Sequence, residues 1–68
     1  METMDVQAGD RITFLDFEGH EQTVEVTAHV PDAGHGFEGF VGYDHIRGGH
    51  FWGYLSQINE INGQAVAA

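Results

Sequence analysis

Acidic side chains are the most numerous groups in this sequence that could take part in binding. The chain has 68 residues, with eleven aspartates and glutamates against two arginines and no lysine, and its formal net charge is −9. Residues 1–44 carry ten of these acids, so the net charge lies entirely in the first two-thirds of the chain. Such a field repels nucleic acids and anionic membranes and attracts basic surfaces. The charge therefore predicts a basic protein as the partner, with no direct binding to nucleic acid or membrane.

We predict that carboxylates of the first two-thirds form one acidic face. Residues two apart on a strand lie about 6.6–7 Å apart on one side, so a strand can carry a row of carboxylates. A duplex carries one phosphate charge per about 1.7 Å of axis, and basic grooves built for phosphate also accept carboxylates. The predicted face comprises Asp10, Asp16, Glu18, Glu21, Glu25, Asp32, Glu38 and Asp44. The alternative is a solvated surface that gives solubility, prevents edge aggregation or suits a high-salt host.

Aromatic residues form the second candidate site. In the segment 51–55, Trp52 and Tyr54 face outward if Phe51 and Leu55 face the core, because side chains alternate along a strand. Tryptophan and tyrosine are favoured interface anchors, and this part of the chain carries almost no charge. The patch predicts a protein-binding surface, and the alternative is that both rings cover the ends of a small core.

Histidines form the third candidate site. His45 and His50 flank a predicted turn, with Asp44 beside them, and a metal site needs two or more such ligands to converge on one ion. No helical spacing supports a metal motif, and we expect no metal or cofactor. Protonation of all five histidines would instead reduce the formal charge from −9 to −4, which would make the protein pH-responsive.

Enzymatic activity is not expected. The sequence contains no G-x-S-x-G, H-E-x-x-H or phosphate-loop motif, and it has no cysteine for thiol chemistry or disulfides. It also has no long apolar run and no signal-peptide pattern at its start, so we expect a cytoplasmic protein.

Short two-residue periodicities predict that strands position these groups. The clearest strand is 22–30, where Val24, Val26, Ala28 and Val30 face one way. The other predicted segments are a strand at 11–17, a turn at 18–21, a loop at 30–36, strands at 37–43 and 50–55 with a turn at 44–49, a 3₁₀ turn at 56–58, and a last strand through 60–61 before a turn at 62–63.

This order predicts a single all-β domain, 1–68, with frayed ends at 1–9 and 64–68. It resembles the SH3-like barrels, which implies a five-stranded antiparallel small barrel or strongly curled sheet with one 3₁₀ turn before the last strand. The predicted interior is Ile12, Phe14, Val24, Val26, Val41, Phe51, Leu55, Ile58 and Ile61. The domain is expected to be a monomer or an edge-strand homodimer.

Three functional hypotheses follow. The leading one is an acidic inhibitor or regulator that mimics DNA and binds a basic, nucleic-acid-handling protein, by analogy in size and charge with phage-encoded anti-CRISPR proteins. The second is a generic protein-binding module that uses Trp52 and Tyr54, with the acids serving solubility. The third is a metal-binding or pH-responsive protein that uses the histidines.

Overall fold

The computed structural model describes residues 6–66, which form one antiparallel sheet. Its strands are β1 (Arg11–Leu15), β2 (Glu21–Gly34), β3 (Phe37–Tyr43), β4 (His50–Tyr54), β5 (Ile58–Ile61) and β6 (Gln64–Ala65), and a 3₁₀ turn, Leu55–Gln57, joins β4 to β5. The spatial order is β4-β3-β2-β1-β5-β6, so the sheet is open, with β4 and β6 at its edges. The all-β prediction is confirmed.

The predicted number of five strands is wrong because the chain turns once more after β5. Asn62 and Gly63 both have positive φ, of 52° and 84°, as a two-residue hairpin loop requires. Gln64 and Ala65 then pair with β5. No helix within residues 6–66 is long and apolar enough to cross a membrane.

The core lies on one side of the sheet. Its buried residues are Val6, Ile12, Phe14, Val24, Val26, Phe40, Leu55 and Ile58, with Phe51 and Ile61 partly buried against them. Phe40 replaces the predicted Val41 because two neighbouring positions on the core side lack side chains. A Cβ on Gly53 would lie 3.1 Å from the Phe40 ring, and one on Gly42 would lie 2.5 Å from Val24. Gly53 thus leaves room for the large ring, and Gly42 leaves room for Val24.

A β-bulge in β2 overturns the predicted alternation of that strand. The pairing shifts between Val26↔Gly42 and Ala28↔Val41, and one extra residue of this kind reverses which side chains face the core. Val24 and Val26 are buried as predicted, but Ala28 is exposed and Val30 is only half-buried. The Thr27 hydroxyl donates to the Val41 carbonyl at 3.1 Å and so bridges the two strands at the bulge.

The predicted loop at 30–36 is largely strand, because β2 continues to Gly34. A second irregularity between Val30 and Gly34 leaves Pro31 without a pairing partner in β3. Proline is tolerated at such a position because its missing N–H interrupts no ladder bond.

The described termini are attached to the sheet. Val6 is 1% exposed, and the Gly9 N–H donates to the Val26 carbonyl at 2.8 Å. Residues 1–5 and 67–68, which belong to the ends predicted to be frayed, lie outside the described residues.

Candidate functional site

Three of the predicted site aspartates build turns. Asp16 Oδ1 accepts the backbone N–H groups of Glu18 at 2.9 Å and His20 at 2.8 Å. Asp32 Oδ1 accepts those of Gly34 at 3.0 Å and Gly36 at 3.1 Å. In the same way, Asp44 Oδ1 accepts those of Ile46 and Arg47. Aspartate favours turns because its short side chain bonds to nearby backbone groups.

Asp44 does not belong to an exposed acidic face, which corrects the prediction for this residue. It is 4% exposed, and its second oxygen lies 3.4 Å from Arg47 Nε. The N–H groups of Arg47 and Ile46 hold the pKa of Asp44 below its usual value, since they stabilise the ionised carboxylate. Asp44 therefore stabilises the β3–β4 turn.

Asp16 is tied to that same turn through one glutamine. Gln22 Nε2 donates to Asp16 Oδ2 at 3.1 Å, and Gln22 Oε1 accepts a hydrogen bond from Arg47. The pKa of Asp16 is lowered by the N–H of His20 first, and further by Gln22 and by the N–H of Glu18. The turns after β1 and β3 are thus joined by a continuous chain of polar contacts.

Asp10 also has a local structural role. Its Oδ2 accepts the N–H of Gln7 at 2.9 Å, and its Oδ1 accepts the side-chain amide of Asn62 at 3.2 Å. Asp10 therefore links the chain before β1 to the β5–β6 turn.

Exposed glutamates, rather than aspartates, populate the outer side of the sheet, opposite the core. Glu21 and Glu25 both lie on this side of β2, with Thr23 between them. Thr23 is paired with Thr13, which in turn is paired with Glu60 of β5. Paired residues share a side of a sheet, so Glu60 joins the same surface. We call Glu21, Glu25 and Glu60 the outer glutamates.

Glu60 was missed by sequence reasoning because its relation to the hairpin depends on the pairing of β5 with β1. Among the outer glutamates, Glu25 has basic side chains closest to its carboxylate. Its Oε1 lies 2.8 Å from His45 Nε2, and Arg11 is its cross-strand partner in β1. These groups, with Tyr43, border a shallow depression on this side of the sheet.

Glu18 and Glu38 lie apart from the outer glutamates. Glu18 belongs to the β1–β2 turn, where it is 3.9 Å from His20 Nδ1. Glu38 lies 3.8 Å from His29 Nε2, and His29 pairs with the buried Phe40. Glu38 therefore lies on the side of the sheet opposite to the outer glutamates. The predicted single row of carboxylates is replaced by separate groups.

A cluster of four aromatic rings, three of them exposed and one half-buried, is the second part of the site. Trp52 contacts Phe17 at 4.9 Å and Tyr54 at 5.7 Å between ring centroids, and Tyr54 contacts Phe17 at 6.1 Å and Phe37 at 6.0 Å. Phe17, Phe37 and Trp52 are 60%, 64% and 48% exposed. The outward orientation predicted for Trp52 is thus confirmed. We call Phe17, Phe37, Trp52 and Tyr54 the aromatic cluster.

Local hydrogen bonds and close packing hold the cluster together. Gln57 Oε1 accepts the Tyr54 N–H at 2.8 Å, and its Nε2 donates to the Leu15 carbonyl at 2.7 Å, which ties the end of β4 to the end of β1. The Tyr54 hydroxyl lies against Gly34, where a Cβ would approach it to 2.7 Å. Gly34 also has a φ of 151°, which disfavours any side chain there.

Two turns that contain aspartates carry two rings of the cluster, Phe17 and Phe37. Phe17 follows Asp16 in the first turn, and Phe37 follows the turn closed by Asp32. Both turns meet at Tyr54 because each of these rings contacts it. The predicted strand at 11–17 includes Phe17, but β1 ends at Leu15. The pattern Asp16-Phe-Glu-Gly19 is typical of a turn and could have indicated this end.

The histidines near the β3–β4 turn are separated by an aromatic ring. Tyr43 contacts His45 at 5.0 Å and His50 at 4.9 Å between ring centroids. In the described part of the chain, the three potential ligands that do converge are Asp16, Glu18 and His20, within 4.8 Å of one another. Both oxygens of Asp16 already accept hydrogen bonds, so these three residues are brought together by the β1–β2 turn.

Comparison with protein-family models, with curated proteins and with solved structures gives no match for this chain.

Proposed function

We propose that this protein is an acidic inhibitor or regulator that binds a basic surface of a nucleic-acid-handling protein. The observation that supports this most is the exposed set of outer glutamates in a chain whose formal net charge is −9. Ionised carboxylates accept strong hydrogen bonds from arginine and lysine, as phosphates do. A partner built to bind phosphates would therefore accept this surface.

The outer glutamates would replace phosphates by sign rather than by spacing. Glu21 and Glu25 are four residues apart along β2, which is about 13 Å. Glu60 lies on β5, two strand spacings or about 10 Å from β2. These separations exceed the distances between neighbouring phosphates, so flexible lysine and arginine side chains would make the contacts. Long-range attraction would then contribute more to the association rate than to the affinity.

The aromatic cluster would provide the apolar part of the same interface. Tryptophan and tyrosine are typical energetic anchors, and large exposed apolar patches mark interaction sites. If the cluster alone carried binding, the protein would be a general interaction module whose acids only give solubility. This second function is favoured by the exposure of Phe17, Phe37 and Trp52.

We also propose that the open sheet is an SH3-like fold with an added strand. The supporting features are the order β4-β3-β2-β1-β5 and the 3₁₀ turn between β4 and β5.

A displacement assay tests the proposed function. Basic DNA-binding proteins are bound to a fluorescent duplex, and the acidic protein is added at several salt concentrations. We expect displacement of the duplex from at least one of them, with a steep loss of potency as salt rises, because exposed charges are screened. Glu21→Gln/Glu25→Gln should be weaker than wild type. Glu38→Gln, on the opposite side of the sheet, is the control. If displacement depends neither on salt nor on the double change, the aromatic module is favoured instead. If the duplex is displaced from none of the proteins, inhibition by DNA mimicry is contradicted.

A further inference from the structure

The aromatic cluster has the arrangement of a receptor for a cation. The rings of Phe17, Trp52 and Tyr54 form a triangle with sides of 4.9, 5.7 and 6.1 Å between centroids. A cation is attracted to a ring face when it lies within about 6 Å of the centroid. One cation above this triangle can therefore lie within that distance of all three centroids.

The ring orientations leave faces available to such a cation. Tyr54 is inclined at 87° to Phe17 and at 77° to Trp52, so the three rings do not stack face to face. Rings in edge-to-face contact do not cover one another's faces as stacked rings do. Phe17 and Trp52 keep about half of their surface exposed, at 60% and 48%.

Carboxylates beside the cluster add to the attraction. Asp16 and Glu18 are the chain neighbours of Phe17, and Asp32 closes the turn that leads to Phe37. Neither arginine of the chain fills the site from within, because Arg47 is bonded to Asp44 and Gln22, and Arg11 lies opposite Glu25. The cluster is thus an aromatic surface in a negative field whose own cations are placed elsewhere.

The same features argue against other occupants. Stacked nucleic-acid bases would bring phosphates into a field that repels them. A second copy of this chain would bring a further formal charge of −9 against the first. A basic protein gains from both the rings and the carboxylates.

We propose that the aromatic cluster binds an arginine side chain of the basic partner, a step that rests on the proposed function and specifies one contact of its interface. Arginine fits better than lysine because its planar guanidinium stacks on aromatic faces, is weakly hydrated and offers several donors to carboxylates. The guanidinium lies over Phe17 and Trp52, and the nearby carboxylates attract it through their field.

Two peptides of equal length and charge, one of arginine and glycine and one of lysine and glycine, test the assignment. Their affinities are measured by fluorescence anisotropy of a label on the peptide. Trp52, the only tryptophan, reports direct contact through its own emission. We expect the arginine peptide to bind at least about fivefold more tightly, and to change the Trp52 emission.

Variants that keep an apolar side chain but remove a ring locate the effect. Phe17→Leu and Trp52→Leu should each reduce the preference for arginine to less than about twofold. Ile46→Leu, at the 91% exposed residue of the β3–β4 turn, is the control and should keep it. Circular dichroism verifies folding, and either ring variant decides the question if the other fails to fold.

The outcomes separate the contact from the proposed function. Equal binding of both peptides, or a preference that survives both ring variants, overturns the arginine site but leaves charge-driven binding intact if Glu21→Gln weakens it. Absence of binding to either peptide at low salt overturns the site and also removes the proposed attraction to basic surfaces.

Discussion

The ring of Phe17 lies 4.9 Å from the ring of Trp52, which joins the turn after β1 to the edge strand β4. β4 and β1 are not neighbours in the sheet, since β3 and β2 lie between them. Curling of the sheet and the bridging side chain of Gln57 bring the two rings together. The candidate site therefore depends on tertiary structure and not on a local motif.

Gln57→Ala should loosen this junction. The Tyr54 N–H loses its acceptor and the Leu15 carbonyl loses its donor, and a polar group left without a partner costs about 1–3 kcal/mol. We expect a loss in this range in the free energy of unfolding, measured in urea, and a red shift of the Trp52 emission. Gln64→Ala, at an exposed residue of β6, should change neither quantity. Equal stability of the two variants would contradict the bridging role of Gln57.

Gly42→Ala should destabilise the sheet chiefly through its contact with Val24. The new methyl group would lie 2.5 Å from Val24 Cγ2, and overpacking of this kind costs about 1–3 kcal/mol. The same change in a Val24→Ala background should cost clearly less, because the smaller side chain makes room. A double-mutant cycle measured by thermal unfolding provides the comparison, and additive effects would show that the strain lies elsewhere.

Phe40→Ala should be far more damaging than Val41→Ala. Phe40 is fully buried and contacts Phe14 at 4.9 Å between ring centroids, so its loss should cost about 3–5 kcal/mol. Val41 is half-buried on the other side of the sheet, and its truncation should cost less than about 1.5 kcal/mol. Chemical unfolding distinguishes the two, and a reversed order would restore the core that the sequence predicts.

Acid should destabilise the fold through Asp16 and Asp44. Both carboxylates have pKa values lowered in the folded state, by the N–H groups of His20 and of Arg47 and Ile46 respectively. Their contribution is present above the unfolded pKa of about 4 and is lost as the pH falls through the lower folded values. The melting temperature should therefore fall as the pH is lowered below about 4.

Asp44→Asn is the variant that checks this pH dependence. Its side-chain oxygen can still accept both turn N–H groups, but it has no charge to lose, so the melting temperature should depend less on pH over the same interval. Glu21→Gln removes an exposed carboxylate that is outside both turns and should keep the wild-type slope. Identical slopes for wild type and Asp44→Asn would assign acid sensitivity to other groups.

Glu60→Gln should impair binding to a basic partner about as much as Glu21→Gln does. Both side chains belong to the outer glutamates, although the residues are far apart in sequence. Stability should change by less than about 0.5 kcal/mol, as for most surface substitutions. Association rates at low and moderate salt are the measurement. A Glu60→Gln variant with wild-type rates would confine the binding surface to the hairpin.

Much of the fold follows from local patterns, whereas the candidate site does not. The alternation Ile12, Phe14 and Val24, Val26 predicts both the β1–β2 hairpin and its buried side. The bulge beside Thr27 has no such local signal, because it arises from how β2 pairs with β3. Sequence alone therefore places Ala28 and Val30 on the wrong side.

The site shows the same division. Outward exposure of Trp52 follows from alternation with its neighbours. The contribution of Phe17 and of Glu60 depends on contacts between distant segments, and the role of Asp44 depends on its burial. Charge counting cannot distinguish a carboxylate that closes a turn from one that faces solvent.

The bulge in β2 also sets which substitutions the strand can tolerate. Before it, Val24 and Val26 should accept only apolar replacements in a saturation library. After it, the even-numbered positions face solvent instead of the core. The exposed Ala28 should therefore accept lysine or glutamate, although it continues the alternating apolar pattern of the sequence. Deletion of Thr27 would remove the extra residue and leave a regular ladder, so the residues on either side of it would keep the sides of the sheet that they have now. A deletion at the bulge should therefore be tolerated better than a deletion elsewhere in β2, which would move one half of the strand to the opposite side of the sheet.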